Sequence, residues 1–300
     1  MPADEKNRFE FLTVETVAAC QDLELVAHRI VEGFLSGLHR SPYHGFNVEF
    51  SEYRPYAPGD PLKFVDWGVY ARTDRFLVRE SQEETNCRAT ILLDASASLG
   101  FGEGAQSKFA YARCLAGAIA YLMCRQKDAQ GLVAFSNGVG RFLPSRLGEG
   151  ALRETLRALE DLRPAGPTDF AGLLNFADEI PRRGLVILIS DLYGEPRDYA
   201  RLLQKLRFLR HEVLVLHLLS AEERDFPYRG LVEFVGLEGD GPVEAEADFL
   251  RPAYREALVA WVVQMRRIAF DAGADSFAVD TSRPFAEALR EVLSARARFR

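Results

Sequence analysis

The sequence predicts an α/β protein with a doubly wound, mostly parallel sheet flanked by helices, preceded by an N-terminal helical and small β segment. Two observations favour this fold class. From Thr90 onward, short apolar stretches alternate with stretches of helical length, which is typical of βαβ units. Two of the apolar stretches, 90–94 (TILLD) and 184–191 (GLVILISD), end in a carboxylate, as buried parallel strands do where a polar loop begins.

Composition limits the class of protein. The chain has 300 residues, 48% hydrophobic and 27% charged, which favours one large globular domain with an appendage. A net charge of −7 argues against a protein that wraps nucleic acid, and a helix end explains the basic sequence RARFR at 296–300. The four cysteines form no C-x-x-C pair, which indicates reduced thiols. No apolar run approaches the roughly 18 residues of a membrane span and the N-terminus is charged, so we expect a cytoplasmic protein without a signal peptide.

The N-terminal part, residues 1–88, is expected to be separate from a domain at 89–300. Apolar residues at helical spacing over 14–38 predict one or two helices, which end at the turn-forming sequence SPYHG. Short alternating stretches over 46–87 predict a small β element. Its alternating charges and its aromatic residues favour an ion-pair and aromatic network that holds this sheet, and a binding face for a partner is the alternative.

Beyond Asp94 the pattern predicts the remaining strands and helices of the sheet domain. A hairpin is expected about the sequence GDG, because glycine and aspartate favour tight turns. In chain order we predict a helix at 107–125, strands at 131–135 and 141–143, helices at 151–162 and 169–179, a strand at 184–190, a helix at 197–210, a strand at 212–219, the hairpin at 231–246, a helix at 250–272, a strand at 276–280 and a helix from 284.

The sequence DASAS places Asp94, Ser96 and Ser98 in one short loop after a buried strand. In open α/β sheets, ligands bind beyond the carboxyl ends of the strands. The D-x-S-x-S spacing lets the three oxygen-bearing side chains turn toward a common point, which suits a hard cation such as Mg²⁺ better than zinc or copper. Composition alone produces this pattern in about one chain of this size in 25, so the assignment needs further residues.

Two further residues are expected at the same edge of the sheet. Thr168 precedes the apolar run of a predicted helix, and Asp191 follows a strongly apolar strand. Taken alone, each has a structural explanation, and for Thr168 this is a helix N-cap. Right-handed crossovers place the strands that end at Asp94 and Ser190 side by side, so we expect these side chains to converge.

The candidate ligands resemble the metal-ion-dependent adhesion site of von Willebrand factor A domains. They are Asp94, Ser96, Ser98, Thr168 and Asp191. The segment at 44–74, HGFNVEFSEYRPYAPGDPLKFVDWGVYARTD, together with the end of the chain, resembles the bacterial domain-of-unknown-function family 58, whose members pair such a segment with an A domain. Pro61 and Leu99 depart from the family pattern, but neither occupies a ligand position.

This resemblance implies a von Willebrand factor A-like fold and a metal-dependent protein–protein interaction module that holds Mg²⁺, with Mn²⁺ or Ca²⁺ as substitutes. It also implies a partner among MoxR-type AAA+ ATPases and a role in the assembly or maturation of other complexes. In the resembled family one or both carboxylates reach the metal through water. Because the other ligands are neutral hydroxyls, Asp94 and Asp191 are expected to be the only full charges nearby. The cation then stays underneutralised, with one position open to an acidic residue of the partner.

Catalysis is not expected. An aspartyl-phosphate phosphatase would need a second aspartate where Ser96 stands. A serine hydrolase using Ser96 or Ser98 would need a histidine base, whereas His211 and His217 lie beside and within an apolar strand. The glycine-rich sequence at 100–104, GFGEG, lacks the G-x-G-x-x-G order of dinucleotide loops. A metal-assisted hydrolase and a structural A-like domain with a vestigial metal site are the alternatives to a binding module.

Overall fold

A computed structural model describes residues 53–56, 67–79, 88–102, 107–239 and 241–283. The described residues fall into two compact units, one before position 80 and one from position 88 onward. The predicted helices at 14–38 and from 284 lie outside the described residues. The predicted domain boundary between residues 88 and 89 stays a prediction.

The small unit contains two paired strands and one helix. Strands β1 (Tyr53–Pro55) and β2 (Leu77–Arg79) are antiparallel, and helix α1 (Trp67–Thr73) lies between them in the chain. The predicted β element is therefore confirmed at its two strands. It is wrong for the stretch KFVDWGVYAR, which is helical from Trp67 onward.

The aromatic rings of the small unit form one cluster, which explains this difference. Trp67 and Tyr70 lie one helical turn apart, and their rings contact that of Phe76 with centroids 6.4 and 4.3 Å away. Tyr56 contacts the same ring at 6.2 Å. The i, i+3 spacing of two aromatic residues favours a helix, although the sequence around them also alternates. The aromatic part of the predicted network is thus present within this unit.

The large unit is built on a six-stranded sheet with the strand order β10-β7-β6-β3-β4-β5. Every neighbouring pair is parallel except β4 and β5, which are antiparallel. The predicted fold class, a doubly wound and mostly parallel sheet, is confirmed. The strands of this sheet are β3 (Arg88–Asp94), β4 (Ala129–Ser136), β5 (Gly138–Arg146), β6 (Leu185–Ser190), β7 (Glu212–Leu219) and β10 (Asp275–Asp280).

Helices cover both faces of the sheet. They are α2 (Lys108–Arg125), α3 (Glu149–Asp161), α4 (Phe170–Phe176), α5 (Pro196–Phe208), α6 (Ala221–Asp225) and α7 (Ala247–Asp271). In β3, Ile91 and Leu93 pack with α2 and α3, whereas Leu92 packs with α4, α5 and α7 on the other face. Because both faces are covered, all three residues are fully buried and the strand reads as a continuous apolar run. In the described part of the chain, no helix combines the length and apolar character needed to cross a bilayer.

A separate hairpin is inserted between α6 and α7. Its strands, β8 (Leu231–Phe234) and β9 (Val243–Glu246), are antiparallel, which confirms the predicted hairpin. Leu231 and Val243 are exposed on it, so apolar packing holds this hairpin less firmly than it holds the main sheet.

The strand order reverses between the neighbouring strands β3 and β6, which makes this the switch point of the sheet. After β3 the chain continues to β4 on one side, and after β6 it continues to β7 on the other. The two strands pair in parallel, with Leu93 opposite Ile189, so their carboxyl ends lie next to each other. The predicted adjacency of the strands that end at Asp94 and Ser190 is confirmed. A crevice at such a switch point is where ligands bind in this fold class.

His217 lies within β7 and is almost fully buried, and its Nε2 atom has no hydrogen-bond partner among the described residues. Burial lowers the pKa of His217 from 6.5 to about 4, against the opposing effect of the Asp191 charge. This is the setting of a packed residue, as the sequence indicates.

We expect His217→Gln to reduce the acid sensitivity of the fold. Because the pKa of His217 is lower in the folded state, the unfolded chain takes up the proton first, and stability falls as the pH drops from about 6.5 to about 4. The loss due to this residue at pH 4.5 is on the order of 2 kcal/mol. Urea unfolding in chelator at pH 7 and pH 4.5 measures it, and equal losses in wild type and variant would contradict the prediction.

Candidate metal centre

Asp94 is the last residue of β3, and its carboxylate is fully buried. Its Oδ1 atom accepts a hydrogen bond from the backbone N–H of Ser96 at 2.9 Å. Its Oδ2 atom accepts one from the Ser190 hydroxyl at 2.6 Å and one from the Thr168 hydroxyl at 3.4 Å. The carboxylate thus draws donors from three separate segments of the chain.

Ser96 and Ser98 are buried in the turn that follows β3, and their hydroxyl oxygens lie 3.0 Å apart. Backbone hydrogen bonds hold this turn against its neighbours. The N–H of Ala95 donates to the carbonyl of Phe135 in β4, and the N–H of Ala97 donates to that of Gly166, both at 2.7 Å. The predicted loop therefore exists, and it places the Ser96 hydroxyl beside Asp94 and the Ser98 hydroxyl beside that of Ser96.

Thr168 precedes α4, but it is not the N-cap of that helix. The cap is Asp169, whose Oδ1 atom accepts a hydrogen bond from the backbone N–H of Gly172 at 2.9 Å. The structural explanation of Thr168 as an N-cap is therefore wrong. With Asp169 in that role, the Thr168 hydroxyl points to the carboxylates of Asp94 and Glu238.

The loop after β6 approaches Thr168 closely at Gly194. A Cβ atom at this position would lie 2.7 Å from a ring carbon of Phe170 and 3.2 Å from the Thr168 Cγ2 atom. Only a residue without a side chain fits there, so the loop that carries Asp191 and the loop that carries Thr168 pack directly together.

Asp191 is fully buried at the carboxyl end of β6, where the sequence predicts it. Its Oδ2 atom accepts a hydrogen bond from Lys108 Nζ at 2.6 Å, and its Oδ1 atom accepts a longer one from the Tyr193 N–H at 3.4 Å. The expectation that Asp94 and Asp191 are the only nearby full charges is wrong. A buried ammonium group lies beside Asp191.

Lys108 stands in the first turn of α2, where a positive charge opposes the helix dipole. Two carboxylates compensate, because Lys108 Nζ also donates to Glu223 Oε1 at 2.6 Å. Glu223 in turn forms a capping box with Ser220 at the start of α6. The rings of Tyr193 and Phe101 lie 5.0 and 5.8 Å from the ammonium group. This lysine therefore ties α2, the β6 loop and α6 together.

The buried charges shift each other's pKa values. Burial, and then the Asp191 charge, raise the pKa of Asp94 to about 7, although hydrogen bonds from Ser190 and Ser96 oppose the shift. Burial disfavours the charged form of Lys108, but Asp191 and Glu223 outweigh this and raise the pKa of Lys108 above its usual value. Asp94 is thus a carboxylate that lacks a compensating positive charge.

The structure brings the predicted ligands together in two groups. Hydrogen bonds link Asp94, Ser96, Ser98 and Thr168 directly, whereas Asp191 interacts with Asp94 through its charge. Four further residues of the site are not predicted from the sequence. They are Lys108, Ser190, Glu223 and Glu238.

The sequence contains a local signal for only some of the missed residues. Glu223 stands in the capping-box pattern S-x-x-E that begins at Ser220, and Ser190 directly precedes Asp191. A lysine in the first turn of a helix, as at Lys108, is an unfavourable choice that suggests a buried partner. Nothing in the sequence around Glu238 indicates that it contacts Thr168.

The strand order and the switch point between β3 and β6 agree with the predicted von Willebrand factor A-like fold. The chain belongs to the family described as protein of unknown function DUF58, whose profile matches residues 52–262. An uncharacterized protein of Mycobacterium tuberculosis is 30% identical over 286 residues, which cover 93% of this chain and 89% of the relative.

Solved structures show more distant similarity. BatB, a conserved hypothetical protein from Bacteroides thetaiotaomicron, is 16% identical with a TM-score of 0.48, and the match covers 70% of this chain and 98% of BatB. The VWA domain of SpRpn10 is 13% identical with a TM-score of 0.42, and the match covers 68% of this chain and 95% of that domain.

We expect Lys108→Met to destabilise the protein strongly. The change leaves Asp191 and Glu223 buried without their cation, which costs about 3 to 5 kcal/mol of unfolding free energy. Lys205→Met is the matched control, because the pair of Lys205 with Asp178 is partly exposed and worth less than about 1 kcal/mol. Urea unfolding measures both.

Adding Glu223→Gln to Lys108→Met should recover part of the loss, because it removes one of the two unpaired charges. Equal effects of the Lys108 and Lys205 variants would show that the buried contacts do not hold the site together.

Proposed function

We propose that this protein is a Mg²⁺-dependent, non-catalytic protein–protein interaction module that binds an acidic residue of its partner. The observation that carries the proposal is the convergence of one buried carboxylate and three hydroxyls at the switch point of the sheet. They belong to Asp94, Ser96, Ser98 and Thr168. Only oxygen atoms are offered, which is the donor set that Mg²⁺ prefers.

The charges around the site support a cation. Three carboxylates, those of Asp94, Asp191 and Glu223, are buried there against one ammonium group, that of Lys108. The raised pKa of Asp94 follows from its burial and from this excess of negative charge. A divalent cation would relieve both the desolvation and the repulsion.

The residues of the site would have different roles in holding the cation. Asp94, Ser96, Ser98 and Thr168 would hold the cation, with Asp191 contributing its charge and its Oδ1 atom. Lys108 would fix the Asp191 side chain through Oδ2. The bound cation would supply a local positive charge for a carboxylate of the partner. Mn²⁺ or Ca²⁺ would serve in place of Mg²⁺ with altered affinity.

The partner is proposed to be a MoxR-type AAA+ ATPase, which the resemblance to domain-of-unknown-function family 58 implies. The protein would then act in the cytoplasm, in the assembly or maturation of other complexes. Because this chain carries a net charge of −7, long-range attraction does not favour an acidic partner. Recognition would depend on the short-range interaction at the cation.

A second candidate function is favoured by Lys108. Its ammonium group already neutralises Asp191, so the site could be a vestigial one in a purely structural A-like domain. In that case the hydroxyls of Ser96, Ser98 and Thr168 only satisfy the Asp94 carboxylate. Cation binding separates the two functions.

We expect calorimetric titration of Mg²⁺ or Mn²⁺ to detect one site that Asp94→Ala abolishes. Asp178→Ala is the control, because Asp178 is an exposed carboxylate away from the site. The melting temperature should rise by only a few degrees at saturating cation, since the sheet and not the metal supplies most of the stability. Identical heats from wild type and Asp94→Ala would favour the vestigial site.

We expect capture of a MoxR-type AAA+ ATPase from the same organism to depend on the cation. Binding should be lost in chelator, in Ser96→Ala, and when one Asp or Glu of the ATPase is replaced by its amide. Ser282→Ala, which removes an exposed hydroxyl just after β10, three strands away from β3 in the sheet, should bind as wild type does. Capture that persists in chelator would place the interface elsewhere, and the charged and aromatic segment at 46–87 would become the better surface.

A further inference from the structure

Glu238 lies in the loop of the β8–β9 hairpin and reaches the candidate metal centre. Its Oε1 atom accepts a hydrogen bond from the Thr168 hydroxyl, and its Oε2 atom accepts one from the Thr168 backbone N–H, both at 3.3 Å. A carboxylate from a segment 70 residues away thus lies at the ligand-bearing threonine.

Two carboxylates compete for one hydrogen atom at this point. The Thr168 hydroxyl is 3.4 Å from Asp94 Oδ2 and 3.3 Å from Glu238 Oε1, but a hydroxyl can donate only one hydrogen bond. Two like charges on one neutral donor are unfavourable, whereas a cation placed between them would satisfy both. The arrangement therefore fits a carboxylate that approaches a cation.

The loop of the hairpin that carries Glu238 is weakly held, whereas Phe234 at the end of β8 stacks on Phe226 with ring centroids 5.6 Å apart. Glu233 and Glu244 stand directly opposite each other in the ladder of the hairpin, and like charges in that position are destabilising. Val235 and Leu237, which lie between the end of β8 and Glu238 in the chain, are 64% and 49% exposed. A hairpin of this kind can leave the centre at modest cost in free energy.

We propose that Glu238 is an internal carboxylate ligand of the metal centre and occupies the position that the acidic residue of the partner takes. This inference rests on the proposed function. The hairpin then competes with the partner, so its release is part of partner binding.

The inference predicts opposite effects of Glu238→Gln on two affinities. Loss of one anionic ligand weakens cation binding, because affinity at such sites follows the number of charged ligands. It also opens one coordination position, so an external carboxylate binds the loaded protein more tightly. Glutamine has nearly the same shape and still accepts a hydrogen bond, so the hairpin is expected to remain folded.

The test uses Mn²⁺ as the cation, water-proton relaxation to count the waters on it, and acetate as the external carboxylate. For Glu238→Gln we expect Mn²⁺ affinity to fall about tenfold, one additional bound water, and displacement of that water at a lower acetate concentration. Glu246→Gln, which removes an exposed carboxylate that stands opposite Leu231 in the same hairpin, should match wild type in all three measurements.

Hydrogen exchange gives a readout that does not depend on counting waters. Addition of Mn²⁺ should slow exchange in the hairpin of wild type and Glu246→Gln, but not in Glu238→Gln. Glu238→Gln could match wild type in Mn²⁺ affinity, in the number of bound waters and in hairpin protection, while Asp94→Ala binds no Mn²⁺. That result would show that Glu238 is not a ligand, and the proposed function would stand. If wild type binds no Mn²⁺, the proposed function fails, and this inference fails with it.

Discussion

The burial of the Asp94 carboxylate is the constraint on which this part of the molecule depends. A charged group without exposure needs compensating donors, and Asp94 obtains them from Ser96, Thr168 and Ser190, on three separate segments. Each segment must then keep its position: the turn after β3 is tied to β4 and Gly166, and β6 pairs directly with β3. The conformation of three loops thus follows from one buried group, and it leaves the hydroxyls pointing inward.

A second buried contact joins this edge of the sheet to the rest of the domain. Lys108 bridges Asp191 and Glu223, so α2, the β6 loop and α6 meet at one ammonium group. Its geometry places a positive charge beside Asp191 and leaves Asp94 without one. The resulting asymmetry distinguishes the two aspartates, which the sequence presents as equivalent, and it directs any cation toward the Asp94 side.

Membership of a family of unknown function leaves the chemistry of this site to be argued from its own residues. Its hydroxyls and carboxylates offer oxygen ligands, and His217, which is buried in β7 with a lowered pKa, is packed in the core. The proposed function is therefore recognition of a partner. Glu238, which contacts Thr168, is a carboxylate of this chain and so belongs to the same chemical class as the group that the centre would recognise on a partner. Binding of a partner would then be an exchange of one carboxylate for another.

The sequence by itself determined the sheet, its parallel order and the edge at which Asp94, Ser96, Ser98, Thr168 and Asp191 lie. Apolar periodicity and the polar residues that end each strand are local signals, and crossover handedness converts them into adjacency. Only the tertiary structure decided that Asp169 and not Thr168 caps α4, that Lys108 neutralises Asp191, and that Glu238 reaches the site. The contacts of Lys108 and Glu238 join residues that are distant in the chain. The choice between Thr168 and Asp169 as the cap depends on which of two neighbouring side chains turns inward. Burial and hydrogen bonding decide each of these only when the elements are packed together.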